Sequence, residues 1–373
     1  MVRGSQSEVY RRSPFVVSYW MGPALVFENY VKRQKTAGDT FICQVLHFCG
    51  AGRTFRELRD RFPELRPREL RAGIQQLMKY SLLELCRTAS EATDRRWVGW
   101  ESWNPAAGYF HFSTKDPKFE LSEEGDARGL RRIARLRPLP PRVKKYPQAG
   151  AVKLPRIEAM TEFPRVLVER RTWREFSGKP VETEKLSQLL WLSFGVQGWA
   201  EIPGVGRLAL GTSPSGGGMH PFETYVLIRR VRDVEAGIYH YDAVGHRLEL
   251  LRKGISGREI KTMLAGQRWA GKAALVVLLT VVFGRTQWKY EHARAYRVVL
   301  AEAGHLCQTF CLCATWLRLA PFCTMALADT RIERALGIDG VGESVIYAAG
   351  VGMRPARKAT AERWRVKRGV PGG

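Results

Sequence analysis

Arg170-Arg171-Thr172-Trp173-Arg174-Glu175-Phe176, followed about forty residues later by Pro214-Ser215-Gly216-Gly217-Gly218-Met219-His220-Pro221, is the pair of segments on which the fold assignment turns. The first packs three guanidiniums and one hydroxyl into five residues. Guanidinium forks match phosphate oxygens, and a hydroxyl adds one more donor. The second is a small-residue turn whose backbone N–H groups are expected to stand uncovered, where main chain can approach a ring or an anion. Either segment alone is ordinary, because most arginine clusters are solvated surface and most glycine-rich turns are connectors. In this order they describe a site for a flat ligand that carries a phosphate.

The flanks give this region an alternation of helix and strand. Leu186, Leu189, Leu190 and Phe194 have helical spacing and stop at Gly195. Glu223–Arg230 reads as a strand, and Gly237–Leu251 as a hairpin turning at Asp242–Gly245. His240 and His246 lie on that hairpin without a third ligand, so no metal site is expected. Ala273–Phe283 is a buried strand by length and β-branching, too short to span a bilayer. It leads into Gln287-Trp288-Lys289-Tyr290. Residues 294–319 are apolar almost all round, which predicts a buried helix. His305 and Gln308 are its polar interruptions, read as helix–helix hydrogen bonds. Pro321–Asp329 and a strand over Ser344–Gly352 follow, then Arg354, Arg357 and Lys358.

Upstream, Ser13–Trp20 and Ala24–Val31 read as strands. Ile42, Val45, Leu46 and Cys49 predict a helix, Thr54 and Glu57 form a capping box before a second, and Leu70, Ile74, Leu77 and Met78 define a third. With a short strand at Leu82–Leu85 this makes a winged-helix module over residues 1–90. Arg66, Arg68, Arg71 and Lys79 would suit DNA phosphates. The same string also resembles PqqD-like peptide-recognition elements, in which a leader peptide adds a strand to the sheet edge. A purely structural module is the third reading. Residues 91–160 form a connector that is first aromatic (Trp97, Trp100, Trp103, Tyr109, Phe110, Phe112) and then, over 127–156, basic and proline-interrupted, like an extended linker. His111 reads as a packed aromatic.

At 373 residues, two domains are expected. The 60 Lys+Arg against 36 Asp+Glu leave a charge of +24, which favours an acidic partner, although solubility alone can explain it. The first twelve residues are too polar for a signal peptide, and seven cysteines without a C-x-x-C pair argue against zinc or a disulfide framework. A cytoplasmic protein is expected, with no membrane partner and no nucleic acid.

The order R-R-T-x-R, then P-S-G-G-x-M-H-P, resembles the flavin-binding signature of the nitroreductase superfamily. It is most similar to the SagB/McbC-type FMN-dependent dehydrogenases of thiazole/oxazole-modified peptide maturation, over residues 161–355. The resemblance implies an α+β, nitroreductase-like FMN domain over 161–373, a mixed sheet flanked by helices, following the winged-helix module and connector. It implies a homodimer in which the 294–319 helix is central, a precursor peptide as substrate and a cyclodehydratase as partner. Arg170, Arg171, Thr172 and Arg174 would hold the FMN phosphate, with Arg354, Arg357 or Lys358 completing the grip. Pro214, Ser215, Gly216 and Gly217 would meet the flavin edge, and Thr324, Met325 and Ala326 would lie against its ring. Lys289-Tyr290 matches the Lys-Tyr motif of azoline-oxidising relatives. The implied reaction removes a proton from Cα and a hydride from Cβ of a thiazoline or oxazoline. Tyr290 would be the base beside Lys289, or the two would act in reversed roles. Thr172 for the usual Ser keeps the hydroxyl. Gly218 and His220, in place of the Asn and Gln of ordinary nitroreductases, fit the peptide-maturing branch. Another flavin oxidoreductase on this scaffold, such as an NAD(P)H-dependent nitro or quinone reductase, and a flavin-free binding protein are the competing readings.

Overall fold

The computed structural model describes residues 8–86, 99–117, 161–202 and 206–356, with residues 132, 135 and 136. Apart from those three residues, the linker expected over 127–156 lies outside the described residues, as do Trp97, Arg357 and Lys358. The chain divides into two compact units, one of residues 1–115 with 287–296, the other of 116–286 with 297–373. The first unit therefore extends past residue 90, through the aromatic segment, and takes in the Lys289-Tyr290 loop.

In the first unit, β1 (Val9–Arg12) is the central strand of a three-stranded antiparallel sheet, between β5 (Arg53–Thr54) and β6 (Leu83–Cys86). Three helices pack with it: α1 (Thr40–Phe48), α2 (Phe55–Arg61) and α3 (Pro67–Lys79). Asp39 caps α1 by accepting from the N–H groups of Phe41 and Ile42. The Thr54/Glu57 capping box is formed in both directions, fixing where α2 starts. Leu46, Leu58, Leu70, Ile74 and Leu82 meet in the apolar core. The strands read at 13–31 do not belong to this sheet. They become β2 (Val16–Met21) and β3 (Ala24–Asn29), which form a separate meander with β4 (Gln34–Gly38). The strand that serves the helices is β1, whose run of Tyr10, Arg11 and Arg12 hides an alternation in which only Tyr10 is fully buried.

The aromatic segment carries α4 (Ala106–Ser113). Trp100 and Trp103 are fully buried and meet edge to face, 5.7 Å between centroids. His111 stacks on Trp100, and its Nδ1 hydrogen-bonds Tyr296 Oη at 2.8 Å. It is a packed aromatic with a polar edge.

The second unit is three layers deep. In chain order it holds α5 (Glu162–Glu169), α6 (Thr183–Phe194), the hairpin β7 (Gly198–Ile202) and β8 (Gly206–Leu210), β9 (Phe222–Ile228), β10 (Gly237–Asp242) and β11 (Arg247–Lys253). Then come α7 (Gly257–Met263), β12 (Leu275–Val282), α8 (Phe283–Gln287), whose last residue falls in the first unit, α9 (Ala295–Trp316), whose first two do, β13 (Leu319–Thr324), α10 (Asp329–Leu336) and β14 (Glu343–Met353). The sheet order is β11-β10-β9-β12-β14-β13. Where a mixed sheet was expected, every strand pair in it is antiparallel, and among the described residues the parallel pairing is an isolated bridge, Val181 with Val231.

β12 is apolar without alternation because both faces are covered. Leu275, Val277 and Leu279 face α6 and α9, joining Leu186, Leu189, Cys307, Phe310 and Ala314. Val276 and Leu278 face α7 and α10, joining Ile260, Met263 and Ile332. Each such side chain contributes about 1.5–3 kcal/mol on burial. By length and composition α9 could cross a bilayer, but one of its faces fills this core. It is not buried all round as its composition suggested: Val298, Ala301, His305 and Gln308 are exposed.

At one edge of the sheet, His240 sits between two carboxylates, with Nε2 2.9 Å from Glu223 and Nδ1 3.0 Å from Glu249. Arg285 pairs with the same Glu223. The hydrogen bond to Glu223 leads in raising the imidazole to about 9. A histidine raised in the folded state stabilises it fully below the unfolded value near 6.5, and that stability is lost as pH rises through the folded value. The melting temperature of the wild type is therefore expected to converge on that of His240→Gln as pH rises from 7 to above 9. A constant gap between the two proteins would contradict this clasp.

Candidate active site

The arginine segment reaches the sheet through its backbone. Trp173 N–H donates to Pro321 O at 2.8 Å, and Ser177 N–H donates to Met353 O at 3.0 Å. Between these ties the Phe176 ring lies on Gly352, where a Cβ would stand 2.6 Å from it. The ring of Phe322 likewise covers Gly350. The glycines of β14 are thus what allow the arginine segment and β13 to lie close.

This placement gathers much of the expected phosphate site. Arg354 stands with its guanidinium 5.6 Å from the centre of the Trp173 ring and donates to Leu319 O at 2.9 Å and Thr315 O at 3.2 Å. It caps the end of α9, and burial lowers its pKa. The Arg174 guanidinium lies 5.7 Å from the Trp269 ring, which meets Phe322 edge to face. Thr324 Oγ1 accepts from Gln267 Nε2 at 2.9 Å and from Ala326 N–H at 3.1 Å, which fixes the 324–326 turn and leaves Met325 exposed. Arg171 is turned elsewhere: its Nη1 donates to Val168 O and Arg170 O at the end of α5. Among the described residues, no carboxylate neutralises Arg170 or Arg174. Two guanidiniums and the Thr172 hydroxyl, all at least partly exposed, are a donor set suited to a phosphate dianion.

The glycine turn lies elsewhere on the same helix. Gly217 and Gly218 have φ of 65° and 73°, a left-handed pair that a side chain would strain. Its amides are not bare, as expected, but largely occupied. Gly216 N–H donates to Glu302 Oε2 at 3.1 Å, and His220 N–H donates to Ser215 Oγ at 2.8 Å. Gly218 N–H donates to Ser215 O at 3.1 Å. Gly216 also lies against Val298, where a Cβ would meet Cγ1 at 2.3 Å.

Glu302 is the residue that sequence reasoning missed. It is 4% exposed, and burial raises its pKa against the opposing hydrogen bonds of Ser215 and Gly216. The signal was a single acid between Val299-Leu300-Ala301 and Ala303. An acid among apolar neighbours needs a buried partner. Glu302→Ala would leave the Gly216 amide and Ser215 hydroxyl unsatisfied. It is expected to cost about 1–3 kcal/mol in urea unfolding, with faster hydrogen exchange at Gly216. An unchanged midpoint would remove this role.

Glu302, which holds the glycine turn, and Thr315, which receives Arg354, are thirteen positions apart on α9. At 1.5 Å per residue that is roughly 20 Å. One copy of the second unit therefore carries the two halves of the expected site at separate stations along one helix. Lys289 and Tyr290 belong to the first unit, where Trp103 Nε1 donates to Tyr290 O at 3.0 Å. Lys289 Nζ lies 5.7 Å from the centre of the Tyr290 ring, and Trp288 beside it is exposed.

Residues 167–353 match the model of the nitroreductase family. A Methanocaldococcus jannaschii protein with a provisional nitroreductase name is 30% identical over 187 residues, covering 50% of this chain and 89% of that one. The trifolitoxin-processing protein TfxB of Rhizobium leguminosarum bv. trifolii is 30% identical over 140 residues, 36% of this chain and 37% of that protein, so the likeness spans little more than a third of its length. Among solved structures, one chain of the Escherichia coli microcin synthetase McbBCD complex superposes with a TM-score of 0.45 at 19% identity, over 64% of this chain and 89% of that one.

Proposed function

Because the chain belongs to the nitroreductase family, we propose that this oxidoreductase is an FMN-dependent azoline dehydrogenase, oxidising thiazoline or oxazoline rings in a ribosomally made peptide. The observation that carries the flavin part is the convergence of Arg170, Thr172 and Arg174 with Arg354 and Thr324–Ala326, tied by the Trp173–Pro321 and Ser177–Met353 hydrogen bonds. The likeness to a trifolitoxin-processing protein supports the peptide substrate. A cyclodehydratase partner would make the azoline, and the cytoplasm is where we place both.

Bound flavin supplies the electron sink for a two-electron oxidation. The chain's own tasks are to hold the phosphate, set the ring against main chain and handle one proton. Arg170 and Arg174 supply charge, Thr172 a hydroxyl, and Arg354 a rigid wall fixed to the end of α9. Tyr290 takes the Cα proton, with Lys289 beside it, or the two act in reversed roles.

A homodimer completes the reading. On α5, α6 and α9 the second unit exposes Phe163, Leu167, Val168, Trp191, Val298 and Trp316, apolar side chains that a second copy would cover. Two α9 helices packed antiparallel across such a face would bring the arginine end of one copy towards the glycine turn of the other.

In the first unit, β6 pairs only with β1 among the described strands. A groove lined by Glu8, Tyr10, Arg71, Ile74, Met78 and Leu85, among others, lies beside it. We read this unit, with its three helices, as a winged-helix module in which a leader segment of the peptide adds a strand at β6 beside Arg71.

The 30% identity to the nitroreductase-named relative over most of its length favours a second reading, an NAD(P)H-dependent reductase. One experiment separates the two. Purified protein reconstituted with FMN should show flavin absorbance and remove two hydrogens per ring from an azoline-bearing peptide under air. Rapid NAD(P)H consumption with nitroarenes, and none of that peptide oxidation, would install the reductase instead.

A further inference from the structure

Three cysteines meet at the inner side of α9. Cys307 and Cys311 are one helical turn apart and both buried, and Cys323 on β13 packs against the same cluster, together with Tyr347. Tyr347 Oη donates to Cys323 Sγ at 3.5 Å, and the Cys311 thiol, packed in the same cluster, interacts with that sulfur. Cys323 alone of the three is partly exposed. The Arg170 guanidinium acts on it electrostatically. Buried cysteines are commonly small apolar packing groups, and Cys307 fits that role, its thiol pushed up by burial. Cys323 does not. A partly exposed sulfur that accepts from a phenol and feels a guanidinium favours the thiolate, and a second thiol packs in the same cluster.

We propose that Cys323 and Cys311 are a peroxide-reactive dithiol: a hydroperoxide oxidises Cys323, and Cys311 resolves it as an intramolecular disulfide. In the first step the Cys323 thiolate attacks the peroxide oxygen, the O–O bond breaks, and Cys323–SOH and hydroxide form. In the second, the Cys311 sulfur attacks Cys323–SOH, an S–S bond forms, and water leaves with the Cys311 proton. The sulfurs lose two electrons in all and the peroxide gains them. Tyr347, donating to Cys323, steadies the thiolate before attack. Peroxide and two thiols are the only reactants, so this chemistry does not rest on the flavin reading.

The test uses the full-length protein, reduced, desalted and treated with one equivalent of hydrogen peroxide. The intact mass is expected to fall by about 2 Da, with peptide mapping linking Cys311 to Cys323. The exposed Cys43 serves as internal reference, and alkylation at pH 7 should modify Cys323 at least ~10-fold faster. In Cys311→Ser the disulfide should be replaced by a Cys323 sulfenic acid that dimedone traps. In Cys323→Ser the fast reaction should vanish. If either serine variant fails to fold, the wild-type map decides. Oxidation first at Cys43, or a link not joining 311 to 323, overturns the proposal. So does a peroxide reaction in Cys323→Ser as fast as in the wild type.

Discussion

Arg170→Ala combined with Arg174→Ala is expected to purify colourless and to bind added FMN about 10²–10⁴-fold more weakly than the wild type. Each hydrogen bond to a charged group is worth about 1.5–3 kcal/mol, and two together convert at about 1.4 kcal/mol per tenfold. The effect should be large because, among the described residues, no carboxylate pairs with either arginine. Arg171→Ala makes the internal contrast. Its guanidinium already serves Val168 O and Arg170 O, so its removal should loosen the end of α5 and change flavin affinity little. Titration of apo protein followed by flavin fluorescence measures all three constants. Binding by the double variant within threefold of wild type would detach the phosphate from this segment. Equal losses for Arg171→Ala and the double variant would mean that charge summed over the surface, not placement, governs affinity.

The comparison between arginines also marks where the sequence was readable. The arginine cluster and the glycine turn could be picked out as candidates from residue types. Which guanidinium faces outward was not, because it depends on where α5 stops and which carbonyls it leaves open. β12 could be read from an eight-residue run in which only Thr280 is polar, since a strand covered on both faces needs no alternation. β1 could not, because Arg11 and Arg12 outweigh Val9 and Tyr10 in any local count. The hairpin of β7 and β8 was missed for a similar reason: neither strand has a buried residue among those described to mark a core face. α9 was legible as a helix but misread as buried on every side. Its composition reflects a core face and a second apolar face that one copy leaves open. Glu302 escaped because a lone acid on such a helix looks like noise until the turn it holds is visible.

The Lys289→Ala/Tyr290→Ala double variant is expected to lose about 10²–10⁴-fold in azoline oxidation, the usual contribution of a positioned acid–base group, while keeping its flavin. The two halves of that statement test different things. Retained flavin is expected because the arginine segment, residues 324–326 and the glycine turn all belong to the second unit and these two residues to the first. Lost turnover is expected only if one of them handles the substrate proton. The loop should survive the change, since its anchor is the bond from the Trp103 indole to the main-chain oxygen of Tyr290, which side-chain truncation leaves in place. Single variants then divide the roles. With Tyr290 as base, Tyr290→Phe should be as slow as the double variant and Lys289→Met should be mild. With Lys289 as base, Lys289→Met alone should abolish turnover and Tyr290→Phe should be mild. Full activity in the double variant would exclude both residues from the proton transfer. The search for the base would then move to His220, whose main-chain oxygen accepts from Arg285 and whose imidazole is held below its usual pKa by burial beside the glycine turn.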